Sequence, residues 1–458
     1  MLVKTKTLTV GGKITFSVDT LTFDTVFTAA GSFTLNLKIY NPQNEEINLS
    51  SVKLQNGDSS FFHLNVDGFA GNSVPNLKIA AHDSIYVFAT VDINPNNKTT
   101  PFIVTDKLVA TLNGKSFSVF FTAFGQNARY IVDSILNGNQ IWDNTLPYVI
   151  VNSAEVAAGN TLTINPGCRI YMHQNSGLIV SGKLIINGTA NDTVIFQGDR
   201  LDRAYFGYQG YPGEWGGIYF GSYSNGSILH FTRLENCGNA ALGSFPAAIE
   251  VAPDSINFNS PFATPQLSLD HCIVENSIGY GLLSFEGTVV ATNCLIDDCG
   301  AQALAIVQGG YDSLINCTFA CYSTYAVAHN QPAVAILNYY QVDISDYTSG
   351  ALNAVLRNCI VWGSLDSELF CDSLKGATAN LLFDHCLLNV GTTLEHFVNT
   401  TSCLLNQDPL FDTVASANFH LQSGSPAIGK GVFVPSITDD LDGYVRTNPP
   451  DIGCYQYH

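Results

Sequence analysis

Apolar and polar residues alternate along most of this chain, and no segment shows the 3.6-residue recurrence of a helix. Over residues 1–130 the alternation falls into about eight runs: KITFSV, DTVFT, FTLNLKIYN, NLSSVKL, FHLNV, SIYVFATVDI, KLVATL and SFSVFFTAF. They are separated by NPQNEE, QNGDSS, NPNNKTT and NGKS, whose Asn, Gly and Pro accept positive φ or fix φ for tight reversals. Asn113-Gly114 between two alternating runs predicts a two-residue hairpin. Strands of this length and spacing predict an antiparallel, immunoglobulin-like β-sandwich.

From about residue 145 the runs shorten to TLTI, RIYMH, GLIVSGKLIIN and TVIFQG, divided by Asn, Gly and Pro corners. A phrase then recurs: LENC at Cys237, LDHC at Cys272, ATNC at Cys294, LINC at Cys317, LRNC at Cys359 and FDHC at Cys386. The intervals are 35, 22, 23, 42 and 27 residues, a floor near 22 with surpluses. Stacked coils with inserted loops produce such spacing. A coil of this length buries its inward side chains only against its neighbours, so the prediction is a parallel β-helix.

Few residues are charged, 12% against a usual share of roughly 25%. The net charge of −19 makes nucleic acid and anionic membrane poor partners. No apolar run reaches the ~20 residues of a membrane span. The start, MLVKTKTLTVGGKITF, lacks a signal-peptide core, so the protein is expected to be intracellular or to have lost a leader. Of the twelve cysteines, six share one phase of the repeat and are expected to form a ladder of free, packed thiols. In-register side chains point the same way, which does not suit the disulfide dihedral near ±90°. Zinc at His271-Cys272 or His385-Cys386 is set aside, because adjacent strand residues face opposite sides. No metal and no cofactor are expected.

The ending DPLF, HLQSGSPAIGKG, DLDGYVR and PDIGCYQY resembles the C-terminal signature of right-handed parallel β-helix repeat proteins secreted or displayed by Gram-negative bacteria. Cys454 and Gln456 depart from the usual DIGAYE-like close. The stretches TLTINPGCRIYMHQNSGLIVSGKLIINGT, VIFQGDR and PGEWGGIYF resemble a surface-lipoprotein subgroup, as does FDTVFT, Phe23 to Thr28. The resemblance implies a β-sandwich at 1–130, a right-handed parallel β-helix at 131–405 and a closing unit at 406–458. It also implies lipid anchoring at the outer membrane, through a cysteine upstream of this chain's first, Cys168.

Polysaccharide lyases and glycoside hydrolases use this architecture. Between 215 and 400 the basic residues are Arg233, Arg357 and Lys375, with nothing in the sequence to bring them together. Asp297-Asp298 is the one acidic pair in the repeats and reads as a corner; Glu275, Glu286 and Asp312 read as scattered. DDLDGYVR lacks the closing Glu of a calcium loop. There Arg446 is expected to pair with Asp442, a neighbouring Asp or Asp451 and tie the closing unit together. The loop at 197–220 concentrates Arg200, Arg203, Tyr205, Tyr208, Tyr211 and Trp215, types that stack on sugars and anchor protein interfaces. The tyrosines of 332–349 form a second insertion, expected on the same side. The expectation is a non-catalytic surface protein that binds a glycan or a protein partner. The alternatives are a polysaccharide lyase or hydrolase and a structural assembly subunit. A groove with Asp or Lys on neighbouring coils would favour the enzyme, aromatic platforms on one face the binder, and a flat apolar strip the subunit.

Overall fold

The computed structural model describes residues 6–201, 210–239, 241–243, 245–254, 264–324, 326–391 and 394–458. The described residues divide into two compact units, one through Ala128 together with Leu201, and one of Arg129–Arg200 and the residues from Gly210 onward.

The first unit is a β-sandwich of two five-stranded sheets around one apolar core that includes Leu37, Ile39, Phe62 and Phe121. The pairings between strands are antiparallel except that Lys115–Gln126 runs parallel to Thr20–Phe27, the strand holding most of FDTVFT; an isolated bridge of Thr7 with Glu46 is also parallel. The hairpin forms at Asn113 and Gly114, both at positive φ, between Leu112 and Lys115. One strand, Ser73–Ile79, was not foreseen because Pro75 interrupts it. It lies at a sheet edge, where a missing N–H removes no ladder bond.

The second unit contains one continuous sheet of 26 strands, wound into a parallel β-helix. The coils lay their strands on three faces, and the last coils have described strands on two of them. Face A includes Lys183–Asn187, Ser227–His230, Gln266–Asp270 and Leu352–Arg357. Face B includes Thr232–Glu235, Ile273–Glu275, Leu295–Asp297 and Thr318–Cys321. Face C includes Gly217–Phe220, Ala247–Val251 and Val334–Leu337. Inside, like residues stack in register. Ile186, Leu229, Leu269, Ala291, Leu314, Leu356 and Phe383 form one such column, and all are buried. The leading residue of the repeated phrase is a rung of this column.

The next two residues of the phrase make the corner from face A to face B. His271, Asn293, Asn316, Asn358 and His385 all have φ between +52° and +54°. Asn tolerates this left-handed geometry better than most residues, and His is enriched there too. The cysteine that follows turns inward and donates its thiol to the carbonyl two residues back, as in Cys294 Sγ to Thr292 O at 3.2 Å and Cys359 Sγ to Arg357 O at 3.3 Å. The thiol is thus a second, weak donor to a carbonyl that already accepts an amide of the neighbouring coil, His271 N to Thr292 O at 3.0 Å and Asn316 N to Arg357 O at 2.9 Å.

Cys272, Cys294, Cys317, Cys359 and Cys386 form this ladder, and Cys403 extends it; all are free. Cys237 is also free and buried, but it belongs elsewhere, after Asn236 (φ 60°) in the corner from face B to face C. Its interval of 35 residues therefore joins two different corners. The 42-residue interval holds a real insertion, the hairpin Tyr339–Asp343 with Asp346–Ser349.

The closing unit folds back along the outer side of face B, where Leu295, Ala320, Ile360 and Leu387 pack against Phe411, Phe419, Leu421, Ile452 and Cys454. The corner residues pin it in place. Asn358 Nδ2 donates to Val432 O and Asn358 Oδ1 accepts from Val432 N, both at 2.8 Å. Arg446 departs from expectation. Its Nη2 donates to Asn293 Oδ1 (2.7 Å), Cys454 O (2.9 Å) and Gly453 O (3.1 Å), and its Nε to Asp439 O (3.0 Å). The carboxylates meant for it are occupied: Asp451 accepts from Gly429 N and Tyr457 N, each at 2.7 Å, and Asp442 meets His420 Nε2 at 2.8 Å. Asp440, another of the carboxylates expected to meet Arg446, instead organises the loop by accepting from the amides of Asp442, Tyr444 and Gln456.

Candidate recognition surface

Outward positions of face B fall into two columns. One runs Ile195, Arg233, Ile273, Leu295; the other runs Gln197, Glu235, Glu275, Asp297, Ala320. Three acidic side chains on successive coils therefore stand in one line, about 4.8 Å apart. Like charges at that spacing repel, and Arg233 offsets the first two. Its Nε lies 2.7 Å from Glu235 Oε1 and its Nη2 2.6 Å from Glu275 Oε1. These side chains stay partly exposed, at 39% for Arg233, 20% for Glu235 and 18% for Glu275.

Asp297 differs. It is buried, and neither carboxylate oxygen has a hydrogen-bond partner among the described residues. Burial first, then the charges of Glu275 and Asp298, push its carboxyl well above the ordinary range. Asp298, at the following corner (φ 49°), is pushed up to about 6, also chiefly by burial. Tyr455 of the closing unit lies near enough to Asp297 and Arg233 to feel their charges. The acid column thus passes from a solvated, guanidinium-clamped part to a dry, neutralised end.

The described part of the aromatic loop borders the solvated part. Glu214 N donates to Asn236 O (2.8 Å) and Gly213 N to Cys237 O (3.1 Å), which fixes the loop to the end of the Glu235 strand. Tyr211 keeps 44% of its surface exposed and Arg200 is exposed. Trp215 is not part of any recognition surface. Its ring is fully buried beside Phe196, with centroids 6.3 Å apart, and its Nε1 donates to Glu235 O at 2.8 Å. The core has taken it because the interior between faces B and C needs a large apolar side chain there. Arg203, Tyr205 and Tyr208 lie outside the described residues. The second insertion does not join this surface: Tyr340 packs on Phe245 and Phe285 over face C.

Sequence reasoning missed the acid column because it aligned LENC with the wrong phrase. LENC, VENS and IDDC, ending at Cys237, Ser277 and Cys299, are successive copies of the B-to-C corner. Aligned that way, Glu235, Glu275 and Asp297 coincide, and Asp297-Asp298 is a strand end followed by a corner.

No protein-family model and no curated protein matches this sequence. Among solved structures, a family 123 glycoside hydrolase from Clostridium perfringens, described for glycolipid glycan hydrolysis, is similar at 14% identity and a TM-score of 0.19. That similarity covers 28% of this chain and 26% of that one. The Salmonella enterica SafA pilin in complex with the SafB chaperone is similar at 16% identity and a TM-score of 0.17, over 26% of this chain and 57% of that one. The chain thus spans about a quarter of the hydrolase and just over half of the pilin chain.

Proposed function

We propose that this chain is a non-catalytic, cell-surface glycan-binding protein, and that it holds a neutral saccharide on face B. The observation that carries this reading is the Arg233 clamp, which fixes two carboxylates on adjacent coils at partial exposure, at the strand end to which the Tyr211 loop is hydrogen-bonded. Such a patch presents rigid acceptors, a charged donor and an aromatic face, the groups that match hydroxyls and a sugar's apolar side. A ligand without negative charge suits a protein of net charge −19. Hydrolysis by paired carboxyl groups is less well supported. It needs one carboxyl held protonated at the substrate, and within the column of Glu235, Glu275 and Asp297 the carboxyl pushed in that direction, Asp297, is buried beside the closing unit.

The test is a glycan array followed by calorimetry on the best neutral hit. Arg233→Gln and Tyr211→Ala should each weaken binding at least tenfold, since a charged hydrogen bond contributes about 1.5–3 kcal/mol. Unaltered affinity in both variants would refute the site. Release of reducing or unsaturated sugar ends by the wild type would refute the non-catalytic assignment.

A further inference from the structure

On the opposite side of the A-to-B corner, His230, Asp270 and His271 come together without any role in the fold core or in the surface above. His230 ends one face A strand, and Asp270 is its in-register neighbour on the next coil. His271 follows Asp270 in sequence, so alternation along a strand would send its ring inward. Its positive φ of 54° breaks the alternation and brings the ring back beside Asp270. Asp270 Oδ2 lies 2.8 Å from His230 Nδ1, and Asp270 Oδ1 lies 2.8 Å from His271 Nδ1. One ligand atom from each residue falls within 4.8 Å of the other two.

We propose that these three side chains bind a divalent transition-metal ion of the zinc class. Two imidazoles and one carboxylate suit such an ion, and three protein ligands leave a position for water. His271 Nε2 lies 3.2 Å from Asn293 Nδ2 and 3.7 Å from Asp439 Oδ1; a metal on Nδ1 would leave a proton on Nε2, to be turned toward the Asp439 carboxylate. Asn293 holds Asp439 through its backbone carbonyl at 3.0 Å, and Phe231 stacks on the His271 ring at 4.4 Å. The entry side is open: the His230 and Asp270 side chains are 40% and 38% exposed, while His271 is buried. Because Asp439 belongs to the closing unit, the ion would join that unit to the repeats.

A second corner of the same chain supplies the contrast. Asp384 Oδ1 meets His385 Nδ1 at 2.7 Å, as Asp270 meets His271. The position equivalent to His230 is Arg357, whose Nε lies 2.8 Å from Asp384 Oδ2. A guanidinium satisfies the carboxylate but offers no lone pair to a metal. His230→Arg therefore copies a corner that this fold already accommodates and removes one ligand.

The test uses the untagged chain, stripped with chelator and dialysed against zinc or cobalt. The wild type should retain one ion per chain, raise its melting temperature, and show the visible bands of cobalt bound by nitrogen and oxygen. His230→Arg should melt like the metal-free wild type and retain no ion. Asp439→Asn should bind 10–100-fold more weakly, the usual loss for an outer carboxylate. No retained ion in the wild type would overturn the proposal. So would equal retention in His230→Arg, or a thiolate-to-cobalt charge-transfer band assigning the ion to cysteine.

Discussion

Asp312 gives a pH-dependent prediction that can be worked through from its surroundings. It points inward on face A, in register between Val289 and Ala354, and is buried. One oxygen, Oδ1, accepts from Ser284 Oγ (2.9 Å) and Val289 N (3.0 Å); Oδ2 has no partner among the described residues. Burial pushes the carboxyl up to about 7, and the two hydrogen bonds offset only part of that. In the unfolded chain it titrates near the ordinary ~3.9, so the native state binds the proton more tightly by ~3 units, or about 4 kcal/mol. The sign follows: a raised carboxyl favours the native state most at low pH, so stability declines as pH rises from about 4 to about 7 and is flat above that. Asp312→Asn keeps the Oδ1 acceptor and cannot ionise. Relative to wild type it should gain up to about 4 kcal/mol between those limits. Urea titrations followed by tryptophan fluorescence measure this in the right unit, because Trp142, Trp215 and Trp362 all lie beyond residue 128. Asp297 and Asp298 add declines of the same sign, which cancel in the comparison. Parallel pH profiles for the two proteins would refute the reasoning.

Arg446→Ala should cost about 2–6 kcal/mol in the same urea assay, because it orphans two buried acceptors, Asn293 Oδ1 and Gly453 O, that each cost about 1–3 kcal/mol, while Cys454 O keeps the Leu441 amide. An unaltered midpoint would remove Arg446 from the seam. Trp215→Ala should destabilise by about 3–5 kcal/mol as a core cavity, while Tyr211→Ala leaves the melting temperature within a degree or two and acts on glycan binding alone. The five buried ladder cysteines, Cys272, Cys294, Cys317, Cys359 and Cys386, should resist a thiol reagent in the native protein and react in denaturant without reductant; linked Cys272–Cys294 peptides would contradict the free-thiol ladder.

The architecture was legible because it rests on local chemistry repeated many times. Asn113-Gly114 needs positive φ at two consecutive residues, and the recurring Asn-Cys needs it at one, so both are visible without knowing what lies across the fold. The closing unit's composition was equally plain, but its docking was not. Which side of a β-helix a terminal segment covers depends on outward residues of distant coils, here Leu295, Ala320, Ile360 and Leu387. Each of these is an ordinary apolar strand residue in its own neighbourhood. Trp215 shows the same limit from the other direction. A loop tryptophan among exposed tyrosines has the composition of a binding site, and only the space beside Phe196 makes it core.

Chemistry was hidden for a more specific reason. Period-two alternation assigns side chains to inside and outside, and every left-handed corner breaks that rule by one residue. At His271 the break places a residue that should face inward on the same side as Asp270. At Asn236, Asn276 and Asp298 it marks the strand ends, so the acid before each lies in register with the next. Cysteine obscured this by occupying both corners, which let LENC pass for a copy of LDHC. Aligning coils on the residue with positive φ and on the face it leaves, rather than on the thiol after it, separates the two corners. Glu235, Glu275 and Asp297 then fall into one column and His230 falls beside Asp270. In this fold, corner phase rather than motif spelling decides which polar residues can act together.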